Sequence, residues 1–555
     1  MSAAAAVTVE ARIPASLGAA IAEKLQRASQ ERVGERLRDG DATLWGAPGT
    51  AEIVDRLGWL TSAERMLDRV DSLTAFADRV RDDGLRDVVL LGMGGSSLAP
   101  EVLRRSFGSQ PGRPRLHVLD STDAATVLAV QQSVDPKRTL FLVSSKSGGT
   151  IEPLSLFAHF WSLVGDGQNF AAITDPGSGL EKLAHEHGFR EVFAGDPQIG
   201  GRYSALSPFG IVPAALIGVD IRGLLQGAGG AWETALREAS ADAADPTAAE
   251  HPAGVWMGAA LSALAQAGRD KLTFVIADSL PGLGLWLEQL VAESTGKRST
   301  GILPVAEEPL GEPGDYGDDR VFAYLTDAGS PDAELDARVE RLAAAGHPLL
   351  RIPTLGPSDL GRVFMLSELA VAVAGWGLQI NPFDQPNVQQ AKDATKRVLA
   401  EYEAKHELPE PPSADDAALG ALLGRAAPPA YVAIMGYVQP SDEFDAAIAE
   451  LRTAIRAADK ATTTFGYGPR FLHSTGQFHK GGPRTGRFLQ LLHDGPQDVD
   501  IPGAAYTFTT LKNAEAIGDL QTLRELGLPA ERVRLDGDDA ARALRDLTER
   551  IKEAL

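Results

Sequence analysis

Val88-Val89-Leu90-Leu91-Gly92-Met93-Gly94-Gly95-Ser96-Ser97 is a short apolar run that ends in glycines and serines. A helical pattern follows it over residues 98–107. An apolar run of this length, bounded by glycine and followed by a helix, is typical of a buried strand in a parallel sheet. Ligands bind beyond the C-terminal ends of such strands, because backbone N–H groups and helix N-termini face outward there.

The same pattern of apolar run and helix recurs along the chain. The further runs span residues 116–120, 139–143, 170–174, 272–277, 321–325, 349–352 and 431–437, and a last strand is expected near Ala505 before a helix around Leu520. Strands that alternate with helices predict an α/β fold whose parallel sheets are covered by helices on both faces. The two rounds of this pattern predict two similar lobes followed by a C-terminal α/β segment.

The length of 555 residues also requires more than one core, because single cores rarely exceed ~250–300 residues. We predict an N-terminal helical region over residues 1–85, a first lobe over 86–235 and a second over 250–405. A proline-rich linker over 406–418 and a C-terminal α/β region over 419–555 follow. The acidic, alanine-rich segment 235–252 is either a linker or an exposed helix.

Composition narrows the class of function. The chain carries 53 basic and 75 acidic residues, a net charge of −22, which disfavours nucleic acid and anionic membranes as partners. It contains no cysteine, which excludes disulfides, thiolate catalysis and thiolate metal sites. The N-terminus lacks the basic region of a signal peptide, and the apolar stretch 363–380 carries Glu368 and Gln379, so it predicts a buried helix. A cytoplasmic protein is expected.

The loop at residues 144–150, Ser-Ser-Lys-Ser-Gly-Gly-Thr, is the strongest candidate for a binding site. It offers four hydroxyls, a lysine and two glycines directly after a predicted buried strand and before a helix. A monophosphate needs several N–H and O–H donors that converge on it, and such a loop supplies them. A flexible Ser/Gly turn is the alternative, but the position between strand and helix favours an anion site.

Other motifs fit less well. The glycines of the first loop resemble a dinucleotide fingerprint, but Ser97 occupies the third glycine position. Residues 293–297 contain a Gly-Lys pair, yet Arg298 follows where a nucleotide-binding loop has Ser or Thr. His185 and His187 are two residues apart and so do not share a helix face, and no other spacing of metal ligands is found.

Five segments together resemble one family. They are Leu91-Gly92-Met93-Gly94-Gly95-Ser96-Ser97-Leu98, residues 144–150, Gly200-Gly201-Arg202-Tyr203-Ser204, Glu293-Ser294-Thr295-Gly296-Lys297, and Asn381-Pro382-Phe383-Asp384-Gln385-Pro386-Asn387-Val388 with Lys392. In content and order they resemble the glucose-6-phosphate isomerases, which are built from two sugar-isomerase (SIS) domains. The resemblance extends from about residue 87 to residue 392 and implies that both lobes are SIS-type.

The chain departs from the common isomerases beyond Lys392. Those proteins carry a Gly-Gln-His segment between the glutamate and lysine motifs, but here a similar string, residues 474–483, follows the lysine. This order resembles the isomerase half of fused transaldolase–glucose-6-phosphate isomerase proteins. No stretch is long enough for a transaldolase barrel, so the resemblance indicates a stand-alone isomerase of that subgroup.

The resemblance implies a substrate-binding set around the phosphate loop. That set is Gly95, Ser96, Ser145, Lys146, Ser147, Thr150, Gly201 and Gln385, of which the hydroxyls and the lysine hold the phosphate while Gln385 orients water or substrate hydroxyls.

It also implies four catalytic residues. Glu293 matches the general base, and Arg202 matches the arginine that faces the enediolate oxygen. Lys392 and His479 are expected to open the sugar ring, although His473 and His493 compete with His479 for that role. The glutamate that usually follows the valine of the fifth segment is Gln389 here.

The implied function is the reversible isomerisation of glucose 6-phosphate to fructose 6-phosphate in glycolysis and gluconeogenesis. It requires no metal and no organic cofactor. A sugar-phosphate-binding regulator without activity and an isomerase for another hexose phosphate, such as mannose 6-phosphate, are the alternatives. The common isomerases are dimers, so a homodimer is expected.

Overall fold

The computed structural model describes residues 8–238 and 250–555, which form three separate sheets and the helices around them. The strands are β1 (Thr8–Arg12), β2 (Asp87–Gly92), β3 (Arg115–Leu119), β4 (Thr139–Ser144), β5 (Phe170–Thr174), β6 (Glu191–Ala194), β7 (Glu250–Pro252), β8 (Lys271–Ile276), β9 (Leu303–Val305), β10 (Arg320–Asp327), β11 (Leu349–Thr354), β12 (Tyr431–Tyr437), β13 (Thr462–Tyr467), β14 (Gly486–Leu492) and β15 (Ala530–Arg534).

The α-helices surround these sheets and connect most of their strands. They are α1 (Ala15–Gln30), α2 (Val33–Arg38), α3 (Ser62–Leu67), α4 (Val70–Asp82), α5 (Leu98–Phe107), α6 (Ala124–Ser133), α7 (Ile151–Val164), α8 (Gly179–Glu186), α9 (Pro208–Leu216), α10 (Ile221–Glu238), α11 (Gly254–Gln266), α12 (Leu283–Thr295), α13 (Ala333–Ala344), α14 (Leu360–Leu378), α15 (Val388–Lys405), α16 (Asp416–Leu423), α17 (Asp442–Asp459), α18 (Gly476–Gly481), α19 (Phe508–Glu525) and α20 (Ala540–Ala554).

The first sheet is parallel throughout, with strand order β3-β2-β4-β5-β6. Successive residues of β2 point into different hydrophobic cores: Val88 and Leu90 into one, Val89 and Leu91 into the other. Because both faces are buried, the strand is apolar at every position rather than at alternate ones. The chain continues from β2 to β3 on one side of the sheet and from β4 to β5 on the other. The crevice between the ends of β2 and β4 is therefore the switch point where ligands bind in such sheets.

The second sheet has six strands in the order β7-β1-β11-β10-β8-β9. Four of them, β8 to β11, are parallel, whereas β1 lies antiparallel to both β11 and β7. The N-terminal region was expected to be helical, and α1 to α4 are, but β1 makes its start part of the second sheet. Strand β1 pairs only with strands that are distant in the sequence. Such pairing leaves no local periodicity, so the sequence pattern does not predict this strand.

The third sheet belongs to the C-terminal segment and is parallel, with strand order β13-β12-β14-β15. The strand predicted over 431–437 is β12. The strand predicted near Ala505 is wrong: no strand lies between β14 and α19, where the described residues contain only an isolated bridge from Asp500 to Thr507. Leu520 lies in α19, as predicted.

Helix α14 contains most of the apolar stretch that was predicted to be a buried helix. Residues Gly356–Leu378 are long and apolar enough to cross a membrane, with a mean hydropathy of 1.3, but 89% of the apolar window is buried inside the protein. A core helix meets the same criterion. Burial also raises the pKa of Glu368 in this helix well above its ordinary value, which favours its neutral form.

Two predicted connections have different outcomes. Most of segment 235–252 lies outside the described residues. The proline-rich segment 406–418 is largely irregular but attached to the third sheet, since the backbone N–H of Ala414 donates to the Arg532 carbonyl (2.7 Å) and α16 begins at Asp416. The α/β class with helix-covered parallel sheets is confirmed.

Candidate active site

A cavity of about 470 Å³ lies at the switch point of the first sheet. Its walls come from four parts of the chain: Arg56 of the N-terminal region, loops of the first sheet, helix α12 and the segment around α15 from the second lobe, and a histidine from the C-terminal segment. Each residue of the predicted binding set lines it, namely Gly95, Ser96, Ser145, Lys146, Ser147, Thr150, Gly201 and Gln385. Of the four predicted catalytic residues, Glu293 and Lys392 also line it.

The predicted phosphate loop follows β4 and leads into α7. Its neighbour across the sheet is the loop after β2, because Gly92 pairs with Ser144 in register. Thr150 is the N-cap residue of α7, and its side chain makes no capping hydrogen bond, while its Oγ1 lies 3.4 Å from the Oγ of Ser145. Uncapped N–H groups at a helix N-terminus beside several hydroxyls are an anion site.

Lys146 supplies the positive charge of this loop, and it forms an ion pair with a carboxylate. Its Nζ lies 2.5 Å from Asp175 Oδ2 and donates to the Asp196 carbonyl at 2.9 Å. Burial raises the pKa of Asp175 above its ordinary value, although Lys146 opposes the rise. A phosphate in this loop would share Lys146 with Asp175, and a second cation, Arg56, lines the same cavity.

Two glycine loops meet so closely that a side chain cannot fit between them. A Cβ on Gly95 would lie 2.2 Å from the backbone oxygen of Gly201. The predicted roles of both glycines in substrate binding therefore have a packing component: the β2–α5 loop takes its position from direct backbone contact with the loop that carries Arg202.

Glu293 lies in the last turns of α12, and its side chain is 5% exposed. Its Oε2 accepts a hydrogen bond from the Nε2 of Gln289 at 3.3 Å and lies 3.6 Å from Arg202 Nη1. Burial raises the pKa of Glu293 above its ordinary value, and the charge of Arg202 opposes the rise. A carboxylate in such surroundings is a stronger base than one in water.

Arg202 was expected to face the reacting oxygens, but it does not line the cavity. Its side chain is 1% exposed, and its guanidinium contacts Glu293 and the loop at residues 381–387. Nε donates to Ser294 Oγ (2.9 Å), and Nη2 donates to the carbonyls of Pro382 (2.6 Å) and Asp384 (2.8 Å). Nη1 contacts Gln385 and Glu293, so its charge reaches the cavity through those two side chains.

His473 is the histidine that the structure brings to the cavity. It ends a short 3-10 turn between β13 and α18, and its Nε2 lies 2.6 Å from Oε1 of Glu152 in the first turn of α7. Its backbone carbonyl accepts a hydrogen bond from Gln289 Nε2 at 2.7 Å. Burial acts to raise the pKa of Glu152, but His473 reverses that effect and holds the pKa below its ordinary value.

His479, the predicted ring-opening residue, does not line the cavity. Its ring lies among aromatic side chains, 5.2 Å from the ring centroid of Phe488 and 6.2 Å from that of Tyr431. Neither ring nitrogen has a hydrogen-bond partner within the described residues, and burial lowers the pKa of His479 to about 3. It is a neutral core residue. His493 is also outside the cavity, with its Nε2 2.9 Å from the Gly537 carbonyl.

The Gly-Gln string that contains His479 has a structural role instead. The Nε2 of Gln477 donates to the Gly296 carbonyl (3.0 Å) and to Asn387 Oδ1 (2.9 Å), while its Oε1 accepts from the Asn387 backbone (2.9 Å). This side chain ties the end of α12 to the segment that carries Gln385 and leads into α15. Gln389 is exposed and bonds to Asp393, so it does not replace the usual glutamate in the cavity.

Sequence reasoning missed Glu152, Gln289, Asp175 and Arg56, all but Glu152 in the cavity lining. The sequence carries a local signal for Glu152 and Gln289. Glu152 lies in the first turn of the helix that follows the phosphate loop, and Gln289 is one turn before Glu293 on the same face of α12. Asp175 follows β5, a strand end at the same sheet edge. Arg56 lies in an irregular segment and had no such signal.

The chain is similar to known isomerases over most of their length. The phosphoglucose isomerase family profile matches residues 53–321. A glucose-6-phosphate isomerase of Rubrobacter xylanophilus is 32% identical over 416 residues, which cover 65% of this chain and 93% of the relative. One of Thermus thermophilus is 29% identical, with 64% and 92% covered.

Solved structures agree with the sequence relatives. A hypothetical protein from Thermus thermophilus superposes with a TM-score of 0.56 at 26% identity, covering 70% of this chain and all of its own. A glucose-6-phosphate isomerase from Chlamydia trachomatis shares the fold at 20% identity, with a TM-score of 0.56, over 69% of this chain and 86% of its own. The chain belongs to the phosphoglucose isomerase family.

Proposed function

We propose that this protein interconverts D-glucose 6-phosphate and D-fructose 6-phosphate, and so acts in glycolysis and gluconeogenesis without a metal or organic cofactor. Family membership supports the reaction. The observation that carries the proposal at the level of residues is the buried carboxylate of Glu293, in the same cavity as the phosphate loop.

The phosphate of the sugar is held by the hydroxyls of Ser96, Ser145, Ser147 and Thr150 with the ammonium of Lys146. The free N–H groups at the start of α7 add to this site. Fixing the remote phosphate positions C1 and C2 near Glu293, so binding energy at one end of the substrate serves orientation at the other.

The ring is opened by His473 together with Lys392. Nε2 of His473 faces Glu152, which leaves Nδ1 as the nitrogen available to the substrate. Opening the ring transfers a proton to the ring oxygen O5 and removes the proton of the O1 hydroxyl, which forms the C1 aldehyde. Glu152 stabilises the charged imidazolium that this step requires. His473 thus takes the role that sequence reasoning assigned to His479.

Isomerisation follows at C1 and C2. Glu293 removes the proton from C2 and returns it to C1, and the electron pair forms the enediolate between them. The positive charge of Arg202 stabilises the negative charge of the enediolate through its contacts with Gln385 and Glu293. The proton that moves between the O1 and O2 hydroxyls is exchanged through water that Gln385 orients.

A coupled assay of fructose 6-phosphate conversion tests the proposal, with Glu293→Gln as the diagnostic variant. We expect kcat to fall by about 10²–10⁴, the usual contribution of a positioned base. Glu288→Gln is the matched control, because Glu288 is buried on the same helix but lies outside this cavity. Wild type without turnover, or Glu293→Gln with unchanged kcat, would contradict the proposal.

The same assay addresses the alternatives. A regulator without activity would bind the sugar phosphate yet show no conversion in any variant. An isomerase for another hexose phosphate would convert mannose 6-phosphate faster than glucose 6-phosphate. We expect kcat/KM to be higher for glucose 6-phosphate and fructose 6-phosphate than for mannose 6-phosphate.

We also propose a cytoplasmic homodimer in which each site is complete within one chain, because Lys146, Glu293, Lys392 and His473 of the same chain already line one cavity. The expected result is a dimer by light scattering, whose specific activity does not fall when dilution dissociates it. Loss of activity on dissociation would show that the partner contributes to the site.

A further inference from the structure

The pair formed by His473 and Glu152 continues into the C-terminal segment. Helices α7 and α19 pack together, with the rings of His159 and Phe508 5.8 Å apart, and two turns along from that contact they bring two buried carboxyl groups side by side. Glu515 of α19 is 2% exposed, and Glu152 of α7 is 5% exposed. Two carboxyl groups in contact away from water cannot both be ionised without strong repulsion, so such a pair holds one proton between them.

The position of Glu515 is fixed by the loop that follows β3. Thr122 donates from Oγ1 to Oε2 of Glu515 at 2.7 Å. One turn earlier on α19, Lys512 Nζ contacts Oδ2 of the adjacent Asp123 at 2.8 Å. The other oxygen of Glu515, Oε1, has no donor among the described residues. The side chain is therefore oriented by Thr122, with Oε1 free to carry a proton.

The charges around the pair favour a proton on Glu515 rather than on Glu152. Glu152 is approached by two basic side chains, His473 and Lys392, which stabilise its ionised form. Glu515 has no basic partner among the described residues, and burial followed by the neighbouring Glu152 raises the pKa of Glu515 well above its ordinary value. The hydroxyl of Tyr437 on β12 also lies near both carboxyl groups.

Resting on the proposed function, we propose that Glu515 is a positioning residue for ring opening: as a neutral acid it donates a hydrogen bond to the Glu152 carboxylate, which holds that carboxylate ionised and aligned against His473. Thr122, Glu515, Glu152 and His473 then form one hydrogen-bonded chain from the β3 loop to the cavity. A hydrogen bond to the charged form of a carboxylate favours that form.

Substitutions at Glu515 test this in the full-length enzyme. Glu515→Gln keeps a donor of the same shape, so kcat/KM and its pH profile are expected to stay within about threefold of wild type. Glu515→Ala removes the donor, and Glu152 then takes up a proton at higher pH. The acid limb of the kcat/KM profile is expected to move upward by about one pH unit, with kcat reduced about tenfold.

Glu368→Gln serves as the matched control, because Glu368 is also a fully buried carboxyl group but lies outside the cavity. Its pH profile is expected to match wild type. The inference is overturned when the Glu515→Ala profile overlays that of wild type, or when Gln and Ala at position 515 behave alike.

Infrared spectroscopy gives a second readout should the alanine variant not fold. Other buried carboxyl groups such as Glu368 are also neutral, so the wild-type spectrum at neutral pH is compared with that of Glu515→Gln by subtraction. The difference is expected to contain the carbonyl band of one protonated carboxylic acid, and a difference spectrum without that band would refute the inference. This result does not depend on turnover. If wild type shows the band but converts no sugar phosphate, the proposed function is refuted, whereas the protonated state of Glu515 is supported.

Discussion

The side chains of His473 and Glu152 meet at 2.6 Å although 321 residues separate them in the chain. Glu152 belongs to the helix that follows the phosphate loop, and His473 belongs to the C-terminal segment. The contact therefore joins the C-terminal segment to the first lobe at the place where the substrate would lie between the phosphate loop and Glu293. It explains how a histidine located after Lys392 in sequence can serve a site built from the first two lobes.

His473→Ala is expected to lower kcat for the cyclic substrate by about 10²–10⁴, because it removes the proposed acid–base group of ring opening. His479→Leu is the comparison, since His479 is a neutral core residue outside the cavity. It is expected to keep kcat within a few-fold of wild type. Steady-state assays of both variants decide which histidine acts, and the account is wrong if His479→Leu is the inactive one.

The buried His479 also predicts a dependence of stability on pH. Its pKa is about 3 in the folded protein and 6.5 in an unfolded chain. Because the unfolded state binds the proton more tightly, stability that is present above pH 6.5 is lost as the pH falls toward 3. Between pH 7 and pH 5, wild type is expected to lose about 2 kcal/mol of unfolding free energy that His479→Leu does not lose.

Urea denaturation at the two pH values measures this difference. His493→Gln is the control for histidine removal in general, because the His493 ring contacts a backbone carbonyl rather than lying among aromatic rings. Equal losses in wild type and His479→Leu would contradict the neutral, desolvated state of His479.

The contact between Gly95 and Gly201 predicts a sharp effect of a single methyl group. In Gly95→Ala the new Cβ would lie 2.2 Å from a backbone oxygen, so the loop must move. We expect about 1–3 kcal/mol of destabilisation and a raised KM, because the displaced loop carries Ser96. Gly200→Ala, where no atom lies within 4 Å of the Cβ, is the control and should match wild type in KM and thermal midpoint.

Removal of a hydroxyl from the phosphate loop should weaken the binding of every phosphate ligand alike. Ser145→Ala is expected to raise both KM for fructose 6-phosphate and Ki for inorganic phosphate by about 10- to 100-fold, the range for a lost hydrogen bond to a charged group. Ser162→Ala on α7 removes a hydroxyl bonded only to its own helix and should change neither constant. A rise in KM without a rise in Ki would contradict the role of this loop as the phosphate site.

The predicted parts of the fold were those with a local signal. The buried central strands β2, β4 and β12 are apolar at nearly every position and were predicted. The strands that were not predicted are β1, β6, β7, β9, β13, β14 and β15. Strand β1 pairs with residues of β11 more than three hundred positions away, and three of the five residues of β15 are charged. The predicted helix boundaries agree with the observed ones where a glycine or proline marks the end of the helix, as Gly108 does after α5.

Residue identity was easier to predict than residue orientation. The phosphate loop and Glu293 face the cavity because their backbone elements aim them there, and a motif fixes those elements. Arg202 and His479 have long or rotatable side chains whose direction depends on packing against other segments. His479 points into an aromatic core formed with β12 and β14, strands whose position relative to the site no local pattern reveals.

The most direct test of the central claim follows the proton itself. Glucose 6-phosphate and fructose 6-phosphate are equilibrated with the enzyme in D2O, and deuterium at C2 and C1 is measured by NMR. We predict that wild type incorporates deuterium as it isomerises. Glu293→Gln is expected to slow both incorporation and isomerisation by about 10²–10⁴ yet still to accelerate anomer exchange through His473. Deuterium incorporation by Glu293→Gln at the rate of wild type would contradict the assignment of Glu293 as the base.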